Sequence, residues 1–356
     1  MTSPLSRAQK FCERFGLRVP ILLAPMAGAC PPSLSIAVAK AGGMGSAGAL
    51  LMPPAAIAAW IQEFRSSSNG AVQLNLWIPD PPPRRDPAHE ARVREFLGRF
   101  GPPVAENAGD ATPPDFAAQC EALLQARPAV ISSIMGLYPP EFVARMKQRG
   151  IVWFATVTTV AEALAAEAAG ADVMVAQGAE AGGHRGAFEP AEAERRAVGL
   201  FALLPAVVDA VRVPVVATGG IGDGRGVAAA LALGASAAQV GTAFLRCPEA
   251  KTAPAWADAL THTKPEDTVI SRAFSGRPGR SMATEYALAT LSPDAPSPAP
   301  YPVQRGLTAA MREAATKAGD VQRMQVWAGQ SAAMARAEPA EEVVNRLWDE
   351  AGKLIA

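Results

Sequence analysis

Along the chain, short apolar runs rich in Val, Ile and small residues alternate with Ala-rich segments whose apolar positions recur at helical spacing. Apolar runs of strand length suit strands buried on both faces, so the pattern predicts a parallel sheet covered by helices. Strands are expected at 21–26 (ILLAPM), 44–49 (MGSAGA), 71–78 (AVQLNLWI), 129–136 (AVISSIMG), 151–157 (IVWFATV), 172–178 (DVMVAQG), 213–221 (VPVVATGGI) and 237–245 (AAQVGTAFL). Helical segments such as PPAAIAAWIQEF, DFAAQCEALLQA, TVAEALAAEAAG and GRGVAAALALG lie between them, several closed by a glycine suited to a helix end. Right-handed crossovers joining eight such units close the sheet into an α/β fold, the (β/α)8 TIM barrel. An open doubly wound sheet would carry its glycine-rich turn after the first strand. Here the richest glycine clusters follow the sixth, seventh and eighth, which favours the barrel.

Two stretches fit no strand–helix unit. Residues 79–114 hold PDPPPRRDP and GPPVAENAGDATPP, a proline density that predicts a loop insertion after the third strand, on the rim where barrel ligands sit. Residues 247–304 include SGRPGRS and SPDAPSPAPYP and are expected to form a lid or small substrate region. The division is then a barrel over 1–246, the lid over 247–304, and C-terminal helices over 305–356, with segments 305–318 and 340–354 completing the outer ring.

Composition narrows the partners. With 33 Lys and Arg against 33 Asp and Glu, no overall field draws the chain to nucleic acid or an anionic membrane, so a small molecule is the expected partner. Cys12, Cys30, Cys120 and Cys247 are scattered, unlike a zinc site or a disulfide framework, and read as reduced thiols. The N-terminal MTSPLSRAQKFCERFG has no apolar run of signal length, and the expectation is a cytoplasmic protein. Three isolated histidines supply no metal shell, and neither a GxSxG elbow nor a Cys–His arrangement points to a hydrolase.

The candidate chemistry lies in the glycine clusters. ATGGIGDGRG and QVGTAF fall after the seventh and eighth strands, where barrels commonly hold phosphate on backbone N–H groups. Gly219, Gly220, Gly241 and Thr242 are placed around that phosphate, with the helix beginning near Asp223 turning its positive end inward. After the sixth strand comes QGAEAGGHRGAF, with Gln177 at the strand end and His184 among Gly182, Gly183 and Gly186. Glycines on both sides uncover the imidazole, which as a neutral ring can take a proton and as a cation can hold an anion. His89 and His262 lie in charged or polar surroundings and are read as surface residues. Arg185 either adds charge to the rim or is a solvated surface arginine.

The order APM, LNLW, QGAEAGGHRG, ATGGIG and QVGTAFL, spanning nearly the whole chain, resembles the nitronate monooxygenase (2-nitropropane dioxygenase) family. The AGGHRG string is the specific part, since ATGGIG recurs in many phosphate-binding barrels. The resemblance implies FMN bound by Met26 against the isoalloxazine, with Asn75, Gln177, Gly182, Gly183, Gly220, Gln239, Val240, Gly241 and Thr242, beside the Gly219 already placed at the phosphate. It implies His184 as the catalytic residue, also touching substrate, and Tyr301 of the PYP string as a substrate contact. The expected reaction is FMN-dependent oxidation of alkyl nitronates by O2 to a carbonyl compound and nitrite. The alternative is an NAD(P)H-dependent flavin reductase of the same superfamily, acting on an enoyl thioester or a quinone, and a non-catalytic flavin-storage protein is a third. The chain departs from its relatives after Tyr301, with Arg305 and Ala309 where they carry a second tyrosine and a lysine.

Overall fold

The computed structural model describes residues 3–355. In chain order its strands are β1 (Ile21–Leu23), β2 (Gly45–Gly48), β3 (Val72–Trp77), β4 (Val130–Ile134), β5 (Val152–Val157), β6 (Val173–Gln177), β7 (Gly183–His184), β8 (Val215–Thr218), β9 (Ala237–Val240), β10 (Thr268–Ser271) and β11 (Gly279–Met282). Strands β1–β6, β8 and β9 fall at the eight expected places and pair in parallel in the order β1-β9-β8-β6-β5-β4-β3-β2. A parallel bridge between Leu22 and Met44 joins β1 to β2 and closes the cylinder. The remaining three form a small antiparallel sheet, β10-β11-β7.

Because side chains alternate along a strand, each barrel strand faces two environments. Outward residues such as Leu74, Leu76, Met174, Ala217, Ala238 and Val240 pack with the helices in the main core. Inward residues Leu22, Met44, Val130, Phe154, Val173, Val175, Val216 and Ala237 form a separate apolar plug, closed by Phe11 and Phe15 of the helix Pro4–Phe15. Phe15 meets Phe154 edge-on at 5.4 Å. Truncating a fully buried ring such as Phe154 to alanine costs about 3–5 kcal/mol.

Towards the C-terminal rim the inward positions turn polar: Gln73, Asn75, Ser132, Thr156, Gln177, Thr218 and Gln239 are all buried. Buried amides need partners. Gln73 Nε2 donates to Leu23 O (3.0 Å) and to Gln239 Oε1 (2.9 Å), and Asn75 Nδ2 donates to Ser132 Oγ (3.0 Å).

Helix Ala340–Ile355 packs between helices Gly224–Ala232 and Pro32–Lys40, beside the closing seam of the ring. Helix Ala309–Ala318 does not join the ring. Its Met311 belongs to a third apolar cluster, with Phe274, Tyr286, Val303 and Leu307. Val93, Phe96 and Leu97 complete that cluster, and they come from 79–114, which is more than the expected loop. Prolines crowd the start of that segment, but Pro87 takes the first helical position, where a missing N–H costs nothing, and the helix Pro87–Leu97 follows under an Asp86 cap. Both irregular stretches thus share one small core above the rim, called the cap below. Among the described residues no helix is long and apolar enough to cross a membrane.

Candidate active site

A cavity of about 730 Å³ lies between the rim and the cap, a size usual for a ligand site. Met26, Asn75, Gln177, Gly182, Gly183, His184, Gly219, Gly220, Gln239, Gly241 and Thr242 all line it. Two expected residues do not. The alternation that turns Gln239 inward turns the Val240 side chain outward into the helix layer, while its carbonyl accepts from Ala24 N at 2.8 Å. Tyr301 lines a neighbouring smaller pocket, its ring 5.4 Å from Trp77.

The loop after β8 turns backbone to the cavity. Gly219 and Gly220 adopt left-handed φ values of 114° and 70° after β8, and their N–H groups have no acceptor among the described residues. The helix Gly224–Ala232 behaves otherwise than expected. Asp223 Oδ1 accepts from Arg225 N and Gly226 N, and Glu350 Oε2 accepts from Gly224 N, so its first-turn donors are already used. The donors left for an anion belong to the loop. Gly182 is required by packing: a Cβ there would lie 2.5 Å from Gly329 N, and Gly329 N itself donates to Thr242 Oγ1 (3.0 Å).

Gln73 donates to Gln239 Oε1, so the NH2 of Gln239 is left for the cavity. The amide of Gln177 is spent within the chain: Nε2 donates to His184 O (3.0 Å), and Oε1 accepts from Gly186 N (2.8 Å). Gln177 is therefore the anchor of the glycine–histidine loop. Arg185 neither lines the cavity nor is solvated. It is fully buried, donating to Gly178 O (2.6 Å) and Gln177 O (3.2 Å).

His184 is held from the cap. Its strand β7 pairs with β11, His184 opposite Gly279 and Gly183 opposite Arg280. The ring lies 4.6 Å from Trp77 and 4.7 Å from Trp327, and Nε2 is 2.7 Å from Ser275 Oγ. Burial, with the guanidinium charges of Arg277 and Arg305, lowers its pKa to about 3. The imidazole is thus neutral at physiological pH.

The two arginines differ. Arg277 is buried and paired with Asp80, Nε to Oδ2 at 2.6 Å and Nη2 to Oδ1 at 2.5 Å. Arg305 lines the cavity, and its guanidinium makes no hydrogen bond or ion pair among the described residues. Its neighbour Arg312 is satisfied by neutral oxygens of Thr308, Gln325 and Arg305. Trp77, Trp327, Ser275 and Arg277 were not singled out in the sequence. Trp77 stands within LNLW and Trp327 within VWAGQ, but what brings them to His184 is the folding together of β3, β7 and the cap.

The family model for nitronate monooxygenase matches residues 10–350. The chain belongs to the nitronate monooxygenase family. It is 40% identical over 343 residues to a nitronate monooxygenase of Paraburkholderia phytofirmans, covering 93% of this chain and 92% of that one. A nitronate monooxygenase of Pseudomonas aeruginosa is 38% identical over 347 residues, covering 96% and 98%. Among solved structures, nitroalkane oxidase from Streptomyces ansochromogenes superposes with a TM-score of 0.86 at 37% identity, covering 97% of this chain and 98% of that one. FabK from Thermotoga maritima is more distant, with a TM-score of 0.75 at 25% identity, covering 97% and 96%. As a member of the nitronate monooxygenase family the protein is an oxidoreductase.

Proposed function

We propose that this enzyme uses FMN to oxidise alkyl nitronates with O2. The substrate C=N bond is replaced by C=O, each nitronate gains one oxygen atom, and nitrite leaves. The observation that carries the reading is a neutral His184 and an unpaired Arg305 guanidinium facing one cavity.

The chain's residues suit FMN. Gly219 and Gly220 offer free N–H groups to a phosphate, Gln239 offers its NH2 to a ring edge, and Met26 supplies an apolar wall. A Cβ at Gly183 would meet nothing within 4 Å, so the loop leaves room beside the histidine. Bound there, FMN supplies the electron chemistry.

The protein's part is to bind and orient an anion. Arg277 is neutralised by Asp80, so of the two guanidiniums whose charge reaches His184 it is Arg305 that is free to balance the nitronate oxygens. Ser275 Oγ has Arg277 O and N as further partners at 3.3 Å each. With the Ser275 proton given to Arg277 O, His184 carries its hydrogen on Nε2 and donates to Ser275. Nδ1 then keeps its lone pair. A base whose pKa is about 3 removes a proton from a neutral nitroalkane poorly, so the preformed nitronate is the substrate proposed.

The test is the visible spectrum of the purified protein, before and after anaerobic addition of propionate 3-nitronate. A yellow protein releasing FMN, and bleaching by the nitronate without NADH, is expected. Bleaching by NADH alone would replace this reading with the reductase, and a colourless protein that FMN cannot reconstitute would end both.

A further inference from the structure

A second pocket of about 220 Å³ opens beside the main cavity, and the two share Leu51, Arg305, Ala309 and Arg312 at their junction. Its walls are apolar. Pro113 and Pro114 come from the insertion after β3, and Tyr301, Pro302 and Gly306 come from the cap. Proline has no N–H, so this wall presents few polar groups to an occupant. Ala309, at the junction, leaves the passage open because its side chain stops at Cβ. The Arg312 guanidinium is tied to Thr308, Gln325 and Arg305 O, which leaves Arg305 as the charge where head and tail would meet.

We propose that this annex is a subsite for the alkyl tail of the substrate, so that linear primary nitronates are preferred over short or branched ones. The proposal rests on the nitronate reading for the identity of the head group. The anion sits by Arg305 and His184, and the tail crosses Ala309 into the annex. At roughly 30 Å³ for a group the size of water, close to that of a methylene, the space admits a tail of about seven carbons at most. Each methylene fully buried tightens binding roughly fourfold.

Isothermal titration of the FMN-loaded enzyme under anaerobic conditions with nitroethane through 1-nitrohexane reads the subsite without turnover. The expected result is a Kd that falls about two- to fourfold per added carbon beyond propyl. Ala309→Phe, which blocks the passage, and Thr112→Trp, which fills the annex from its exposed wall, should each flatten that series. A wild-type series flat beyond nitropropane, a slope that survives both substitutions, or no binding at any length would overturn the proposal. Nitronate turnover is measured separately by nitrite release. A chain-length slope without turnover keeps the subsite and removes the nitronate reading, while turnover without a slope does the reverse.

Discussion

The barrel side of the cavity offers main-chain N–H groups from Gly219 and Gly220, whereas the side where the cap meets the end of β3 offers the side chains of His184, Trp77, Trp327 and Arg305. The first is fixed by the loop directly following β8. The second is assembled from β3, β7 and segments near residues 275, 305 and 327, which share no element. The barrel side therefore resists change through geometry, since any side chain at a left-handed glycine strains the backbone. The cap side can change chemistry one side chain at a time, and Arg305 is such a change.

Four measurements test this division. The largest effect is expected on the cap side, in the choice between substrate forms. With His184 too weak a base to contribute the usual 10²- to 10⁴-fold of general-base catalysis, kcat/KM for ethyl nitronate should exceed that for nitroethane by at least about 10² at pH 7. Equal rates would show that bound ligand restores the basicity of His184 and that the ring is the base.

On the barrel side, Gly220→Asp sets a carboxylate where a phosphate is proposed, at φ 70° and with its Cβ 3.1 Å from Glu180 Cβ. FMN affinity should fall by about 10² through charge repulsion, while folding loses only about 1–2 kcal/mol of backbone strain. Fluorescence titration of the apoprotein with FMN, compared with thermal melts, separates the two. Wild-type affinity would move the phosphate off this loop.

Arg305→Met removes the unpaired cation without emptying its space. Turnover of nitronates should drop about 10- to 100-fold in kcat/KM, the worth of a charged hydrogen bond, with FMN content unchanged. Thermal stability should hold or rise, because the lost guanidinium had no partner in the chain. An unchanged nitronate rate would give the anion to another donor.

The smallest effect is a pH dependence of folding. His184 has a lowered pKa in the folded protein, about 3 against the ordinary 6.5, so the unfolded chain binds the extra proton first. Its contribution is complete above pH 6.5 and is lost as pH falls towards 3, by up to about 1.4 kcal/mol per pH unit. Urea midpoints of the apoprotein at pH 7 and 5.5 should separate more for the wild type than for His184→Asn, by about 1 kcal/mol. Equal shifts would mean a histidine free to ionise in the fold.

The same division governs what could be read from the chain. Strand positions, the closed barrel and the glycine loops are local properties, written in runs such as VPVVATGGI, and all eight strands lie where the apolar runs put them. Parity settles the side chain of Val240: a string shared with relatives does not say which residues of a strand face inward. Helix Pro87–Leu97 was hidden because its prolines mark a helix start as well as a loop. Arg305 was visible as a departure, yet its lack of a partner depends on what Arg312, Asp80 and Arg277 do in three dimensions. Ser275 carries no sequence signal at all. Its place beside His184 follows from the pairing of β7 with β11.

The helix Ala340–Ile355 has a bearing on how the molecule is made. Its first amide is held by Glu249, and its Glu350 holds Gly224, so it is fastened beside the seam where the first strand meets the last. A ribosome delivers β1 well before β9, its partner across the seam, and the clamping helix later still, at roughly 5–20 residues per second. Until β9 exists, β1 lacks the neighbour that covers one of its edges. The cylinder therefore shuts only once β9 has been made, and the helix clamps a seam that already exists.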